Sequence, residues 1–105
     1  MAVLEVPLHD PWFFPRWEFA ILLERSMKWV EGNPDDTYKL RQAIALDGLH
    51  FELLEPGEGA RLAPAIGAAA AELHEEFRAK KNPDQRDRAF TATLAEITLV
   101  LGPAD

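Results

Sequence analysis

Two apolar stripes with the same helical spacing lie within the last 40 residues of this chain. In each stripe the apolar residues recur at offsets of 0, 4, 7 and 11, which places them on one face of an α-helix. The two sets are Ile66, Ala70, Leu73 and Phe77, followed by Phe90, Leu94, Ile97 and Leu101. Asn82-Pro83-Asp84 separates them, and Gly102-Pro103 is a stop signal. The pattern predicts two helices of about 16 residues, the first from Pro64 onward, packed as an antiparallel hairpin.

Two further helices are indicated before residue 47. Pro15 suits the first turn of a helix, and a one-sided apolar stripe follows it until Gly32 ends the segment. That stripe consists of Phe19, Leu22, Leu23, Met27 and Val30. The aspartates of Asn33-Pro34-Asp35-Asp36 can accept orphan amide hydrogens, so a second helix is predicted from about Thr37 to Leu46. Its inward residues are Leu40, Ala43 and Ile44, and Asp47-Gly48 closes it.

The remaining segments are short and contain many prolines and glycines. Ala2–Val6 is apolar and Leu49–Leu53 alternates apolar with polar residues, so the two are candidate strands that would pair with each other. Asp10–Pro15 predicts a stiff aromatic loop, and Pro56–Gly59 predicts a turn. One domain, residues 1–105, is expected to be mainly α, with about four helices ending in the hairpin. A short two-stranded β element is an optional part of this fold, and α+β is the alternative class.

Composition and charge exclude several classes of function. The chain has no cysteine, which excludes disulfides, thiolate nucleophiles and thiolate metal sites. Its net charge of −7 opposes binding to nucleic acid and to anionic membranes. No apolar run approaches the roughly 20 residues that cross a bilayer, and residues 1–25 lack the pattern of a secretory signal. We therefore expect a cytoplasmic protein with no nucleic-acid or membrane partner.

One segment departs from the general acidity. Residues 78–88 carry a local charge of +3, which leaves −10 for the rest of the chain. The segment coincides with the end of a predicted helix, where cations are favoured by the helix dipole. Binding to phosphates or to an acidic partner is the other interpretation of this segment.

The titratable residues form no recognisable catalytic or metal-binding motif. His9, His50 and His74 are isolated from one another, so no metal and no cofactor are predicted. His50 and Glu52 would project from the same side of the predicted strand, as a general base and its orienting carboxylate do, but an ordinary exposed strand face has the same pattern. The only serine, Ser26, lies mid-helix without flanking glycines. We predict no catalytic residues and expect the protein not to be an enzyme.

Aromatic residues are concentrated near the start of the chain. Trp12, Phe13 and Phe14 lie in the predicted loop, Trp17 lies off the inward stripe of the first helix, and Trp29 lies near its end. Either the loop folds back over the open end of the helical core, or these aromatics form a surface for a partner or a second copy.

These features favour a small acidic module that acts by binding another protein. Its predicted contact residues are apolar anchors and an acidic rim that would attract a basic partner. The anchors are Trp12, Phe13, Trp17 and Trp29, and the rim consists of Glu52, Glu55 and Glu58. In size and acidity the chain is similar to small acidic bacterial inhibitors, immunity proteins and antitoxin-type partners, a likeness of composition without a shared motif. Two alternatives are a small-ligand-binding protein or minor enzyme with a cavity near His50 and Glu52, and a structural homodimer subunit.

Overall fold

The computed structural model describes residues 1–102, which form four α-helices and three short β-strands. The strands are β1 (Ala2–Glu5), β2 (Trp12–Phe14) and β3 (Gly48–His50). The helices are α1 (Arg16–Met27), α2 (Pro34–Leu46), α3 (Pro56–Arg78) and α4 (Gln85–Leu101). Two 3-10 helices, Lys28–Val30 and Phe51–Leu53, follow α1 and β3. The predicted mainly α fold with four helices is confirmed.

The predicted hairpin of α3 and α4 forms the centre of the core. The central residues of both stripes are buried, and the residues at the stripe ends, Phe77 and Leu101, are partly buried against them. The two helices approach closely at Gly67, where a Cβ atom would lie 2.5 Å from the backbone carbonyl of Leu101. Only glycine permits this approach. Gly102 follows the end of α4 as predicted, whereas Pro103, the second residue of the stop signal, lies outside the described residues.

The first helix of the hairpin starts earlier than predicted. α3 begins at Pro56 rather than at Pro64, so the prediction of a turn at Pro56–Gly59 is wrong. Glu55 and Glu58 form a capping box, in which each side chain accepts a hydrogen bond from the other residue's backbone N–H. Pro56 occupies the first turn, where its missing N–H has no intrahelical partner to lose. These start signals outweigh the weak helix propensity of the two glycines that follow.

The helices α1 and α2 bury the predicted stripes. Most of these side chains are buried, and Met27 and Ile44 are partly buried against them. Gly32 has a φ of 88°, which ends the first helical segment. α2 begins at Pro34 rather than at Thr37, because the Asn33 side chain accepts the backbone N–H of Asp36 at 3.1 Å. The cap is therefore the asparagine before the aspartates and not the aspartates themselves.

An ion pair between a buried carboxylate and a half-exposed arginine joins α2 to α3. The side chain of Asp36 is fully buried. Arg61 donates to its two oxygens from Nε at 2.7 Å and from Nη2 at 3.0 Å. This bidentate geometry pairs both carboxylate oxygens and holds the start of α2 against the first turns of α3.

The β element is a three-stranded mixed sheet of order β2-β1-β3 rather than a two-stranded one. β1 pairs antiparallel with β2 and parallel with β3. The prediction of an irregular aromatic loop at Asp10–Pro15 is wrong, because Trp12–Phe14 is a strand and the prolines flank it. The predicted strand Leu49–Leu53 is also wrong in its second half, since β3 ends at His50 and Phe51–Leu53 is a 3-10 helix.

One face of the sheet covers the helical core. The buried side chains of this face join those of the helices in one continuous apolar cluster. They are Ala2, Leu4, Trp12, Phe14 and Leu49. Of the two interpretations of the aromatic segment, the one in which it folds over the core therefore describes Trp12 and Phe14.

Two leucines of α4 provide a matched test of this packing. Leu94 is fully buried, whereas Leu99 is 86% exposed. We expect Leu94→Ala to lower the free energy of unfolding by about 2–5 kcal/mol through lost burial and a residual cavity. Leu99→Ala makes the same change in helix propensity and should cost about 0.5 kcal/mol or less. Urea denaturation of both variants measures the difference, and equal losses would contradict the facing of α4.

Candidate functional site

Three apolar side chains are exposed together on α2 and the 3-10 helix after β3. Tyr38 is 65% exposed, Leu46 71% and Leu53 77%. They line two adjoining open grooves of about 340 Å³ each, which share Lys39 and Leu53 as lining residues. We call this surface, with Tyr38, Leu46 and Leu53 at its centre, the α2 face. Large apolar residues grouped on a surface are a mark of interaction sites.

Acidic residues border the α2 face. Asp35 lies in the first turn of α2, Glu55 and Glu58 lie at the start of α3, and Glu52 lies in the 3-10 helix beside Leu53. Asp35, Glu55 and Glu58 line the same groove as Tyr38 and Leu53. Negative charge is stabilised at helix N-termini, which accounts for the local concentration of carboxylates. Two of the rim residues predicted from the sequence, Glu55 and Glu58, therefore lie beside apolar side chains that the sequence did not indicate, whereas Glu52 lines neither groove.

The predicted anchor Trp12 is not on the surface. It is only 7% exposed, and its Nε1 donates to Glu96 Oε1 of α4 at 3.0 Å. The ring of His9 stacks on the indole with the ring centroids 4.3 Å apart. Trp12 thus attaches the strand segment to α4, and the prediction that it is an exposed anchor is wrong. Its neighbour Phe13 points the other way and is exposed on the outer face of the sheet.

The other two tryptophans are about half exposed, Trp17 at 45% and Trp29 at 50%. Trp17 contacts Phe90 of α4 edge to face, with centroids 6.2 Å apart. Trp29 donates from Nε1 to Glu72 of α3 at 2.9 Å. Both indoles therefore lie on the side of α1 that faces the hairpin, and each uses part of its surface inside the monomer.

A groove of about 540 Å³ runs between α1 and α3. Ile21, Leu73 and Phe77 contribute its apolar lining. Two ion pairs cross it: Arg25 binds Glu76 through both of its terminal nitrogens, and Lys28 Nζ lies 2.7 Å from Glu72. We call it the α1–α3 groove. Its two basic groups, Arg25 and Lys28, are already paired within the chain.

The predicted anchors and the predicted rim do not form one surface. Glu58 and Glu72 are separated along α3 by about 21 Å at 1.5 Å per residue. Trp29 lies at Glu72, and Trp17 lies still further along, beside α4. Glu55 and Glu58 therefore lie at the α2 face, whereas Trp17 and Trp29 lie toward the other end of α3.

The predicted pair of His50 and Glu52 is not formed. β3 ends at His50, so Glu52 lies in a 3-10 helix and does not share a strand face with it. His50 Nδ1 instead lies 3.1 Å from Glu5 Oε1 on the adjacent strand β1. Ser26 is buried, and its hydroxyl donates to the Leu22 carbonyl at 2.7 Å. Within residues 1–102 there is no group of three or more histidine, aspartate and glutamate side chains placed to hold a metal ion.

The ion pairs of the α1–α3 groove shift the acidity of their carboxyls. Hydrogen bonds from Arg25 lower the pKa of Glu76 below its ordinary value of 4.5. Hydrogen bonds from Lys28 and Trp29 lower the pKa of Glu72 in the same way. Both carboxylates therefore favour the ionised form more strongly in the folded chain than in the unfolded chain.

One sequence signal could have identified part of the α2 face. Tyr38 and Leu46 lie off the inward stripe of α2, as Trp17 lies off that of α1, and large apolar residues off a buried stripe are candidates for contact. No such signal exists for Leu53, because its alternation with polar neighbours indicates a strand.

No protein-family model, curated protein or solved structure matches this chain. None of the helices within residues 1–102 combines the length and the apolar character that crossing a membrane requires.

The placement of the three indoles can be tested with variants that retain one tryptophan each. We expect acrylamide to quench the fluorescence of Trp17 and Trp29 with constants several times larger than that of Trp12, because Trp12 is enclosed by the sheet and α4. The other two tryptophans are replaced by phenylalanine in each variant. If Trp12 were quenched as readily as the others, the β2 segment would not cover the core.

The two glutamates of the α1–α3 groove predict a pH dependence. A carboxyl whose pKa is lowered by folding stabilises the fold above its unfolded pKa, and that stabilisation is lost as the pH falls through the folded pKa. Glu76→Gln should therefore lose less thermal stability than the wild type on acidification from about pH 5 to about pH 3. Glu31→Gln is the control, because Glu31 has no ion pair in the described part of the chain. Thermal melts of both variants and the wild type across this pH range measure the effect. Parallel curves of melting temperature against pH for Glu76→Gln and wild type would contradict the prediction.

Proposed function

We propose that this chain is a protein-interaction module that binds a basic surface of another protein through the α2 face. The observation that supports this best is the combination of exposed Tyr38, Leu46 and Leu53 with a border of carboxylates. The border consists of Asp35, Glu52, Glu55 and Glu58. An apolar centre inside a polar rim is the usual composition of a protein–protein interface.

The apolar centre provides affinity. Tyr38 and Leu46 lie on a regular helix, so their backbone loses no freedom on binding, and Tyr is enriched among the residues that dominate interface energies. Each side chain already exposes most of its surface to water. Burial of apolar surface contributes about 25 cal/mol per Å².

The acidic rim makes the α2 face selective for basic partners. Glu55 and Glu58 are held in place by their capping box, so they present negative charge without further ordering. Charge of this kind accelerates encounter with a basic surface and weakens with rising salt. Lys39 lies between the two grooves of the face and offsets part of the rim's charge. We therefore expect a partner whose contact surface is basic and contains an apolar recess.

Trp17 and Trp29 are each about half exposed, and this supports a second proposal, self-association of the chain through these indoles. The α1–α3 groove offers fewer unpaired groups, because Arg25 and Lys28 already bind Glu76 and Glu72. A homodimer that used this groove would leave the α2 face free for a partner.

The test compares two double variants, each of which removes one aromatic and one leucine side chain, from the α2 face in one case and from other surfaces in the other. A partner captured by the native chain is purified, and its affinity is measured by calorimetry at two salt concentrations. We expect Tyr38→Ala with Leu53→Ala to weaken binding at least about tenfold, or roughly 1.4 kcal/mol. Phe13→Ala with Leu99→Ala removes equally exposed apolar side chains elsewhere and should leave the affinity unchanged.

The charge of the rim is tested in the same assay. Asp35→Asn with Glu52→Gln should weaken binding chiefly at low salt, because exposed charges are screened as the salt concentration rises. Binding that depends on Trp17 and Trp29 but not on Tyr38 and Leu53 would overturn the proposal in favour of a surface around the two indoles. Light scattering of the free chain separates self-association from partner binding.

A further inference from the structure

A fourth groove lies between α3 and α4, on the side of the hairpin that faces solvent. Its volume is about 350 Å³, and Pro83 of the connecting turn is one of its lining residues. Phe77, Ala92 and Ala95 supply apolar lining, together with Thr91. We call it the hairpin groove.

An arginine side chain lines each wall of the hairpin groove. Arg78 projects from the last turn of α3 and Arg88 from the first turns of α4. Arg78 Nη2 also lies 3.1 Å from Glu75 Oε2, an exposed pair three residues apart. Arg88 has no carboxylate within 4.0 Å in the described part of the chain. His74, the remaining titratable lining residue, lies 3.8 Å from Glu75.

The groove is cationic at the end near the turn and mainly apolar along the rest of its length. In an antiparallel hairpin the end of α3 lies beside the beginning of α4, so Arg78 and Arg88 are both near the turn. His74 and Ala95 line the groove farther from the turn, with Ala92 between. The groove therefore has a cationic end, followed by an apolar channel about two helical turns long.

We propose that the hairpin groove binds a small organic acid, in which a carboxylate is carried on a short apolar body. The guanidinium groups of Arg78 and Arg88 match a carboxylate in geometry and charge, because arginine donates two parallel hydrogen bonds to it. The apolar body then lies on Ala92 and Ala95. A volume of about 350 Å³ falls within the range of small-molecule sites.

The overall charge of the chain favours this location for an anion. Residues 78–88 carry +3 and the remainder −10, so an organic acid is repelled elsewhere and attracted here. The site is distinct from the α2 face, because Glu58 and Arg78 lie about 30 Å apart along α3. Failure of one proposal therefore leaves the other unaffected.

The first experiment uses three simple probes that separate charge from apolar surface. Sodium octanoate, sodium acetate and octylammonium chloride are titrated into the ¹⁵N-labelled chain and followed by amide chemical shifts. We expect octanoate to shift the amides of Thr91, Ala92 and His74 in a saturable manner. Acetate lacks the apolar body and octylammonium has the wrong charge, so neither should shift these amides. No shift with octanoate, or equal shifts with octylammonium, would overturn the proposal.

Two pairs of variants then locate the binding. Arg88→Gln should weaken octanoate binding about tenfold, the size of one charge-assisted hydrogen bond. Arg86→Gln makes the same change in net charge two residues away, outside the groove lining, and should leave the affinity within about twofold. Ala92→Leu fills the groove and should abolish binding, whereas Ala89→Leu should not.

Circular dichroism confirms that each variant is folded before titration. Equal weakening by Arg88→Gln and Arg86→Gln would show that only long-range charge acts, and this would overturn the proposal. A blocked acidic peptide such as acetyl-Asp-Glu-Leu-amide is titrated in parallel. If it shifted the groove amides while octanoate did not, the groove would be a peptide-docking site and the proposal would be wrong.

Discussion

The close contact of α3 with α4 at Gly67 is the constraint on which the remaining structure depends. Because Gly67 has no Cβ, the end of α4 reaches the α3 backbone, and the two apolar stripes meet along the hairpin. α3 also contacts α1 along its second half and α2 near its start, where Arg61 binds the buried Asp36. This helix therefore holds every other helix of the domain in place.

The same helix separates the charges of the molecule. Glu55 and Glu58 lie at its N-terminal end and Arg78 at its C-terminal end, each where the helix dipole favours that sign of charge. The chain thereby presents an acidic border around exposed apolar residues at one end and a cationic groove at the other. The two proposed sites therefore lie at opposite ends of one helix, so binding at one does not occupy the other.

The candidate site was only partly predictable, and the reason differs among residues. Glu52 and Glu55 are exposed and Glu58 is half-buried, whereas Trp12 is buried because β2 pairs with β1 and turns its indole toward Glu96. Leu53 is exposed because the strand before it ends at His50. Both outcomes depend on contacts with distant segments, Trp12 with Glu96 of α4 and β3 with β1, which local patterns do not encode. The carboxylates of the predicted rim therefore lie away from the indoles with which the sequence grouped them, and their role as partner contacts stays a prediction.

The sequence by itself determined the helices and their inward faces. Apolar periodicity sets which side of a helix is buried, and this information lies within one helix, so the stripes from Ile66 to Phe77 and from Phe90 to Leu101 held without correction. Only the tertiary structure decided that Trp12–Phe14 is a strand, that His50 pairs with Glu5, and which large apolar residues remain exposed. The physical reason is that the exposure of a side chain depends on what packs against it, and that contact is made by residues far away in the chain.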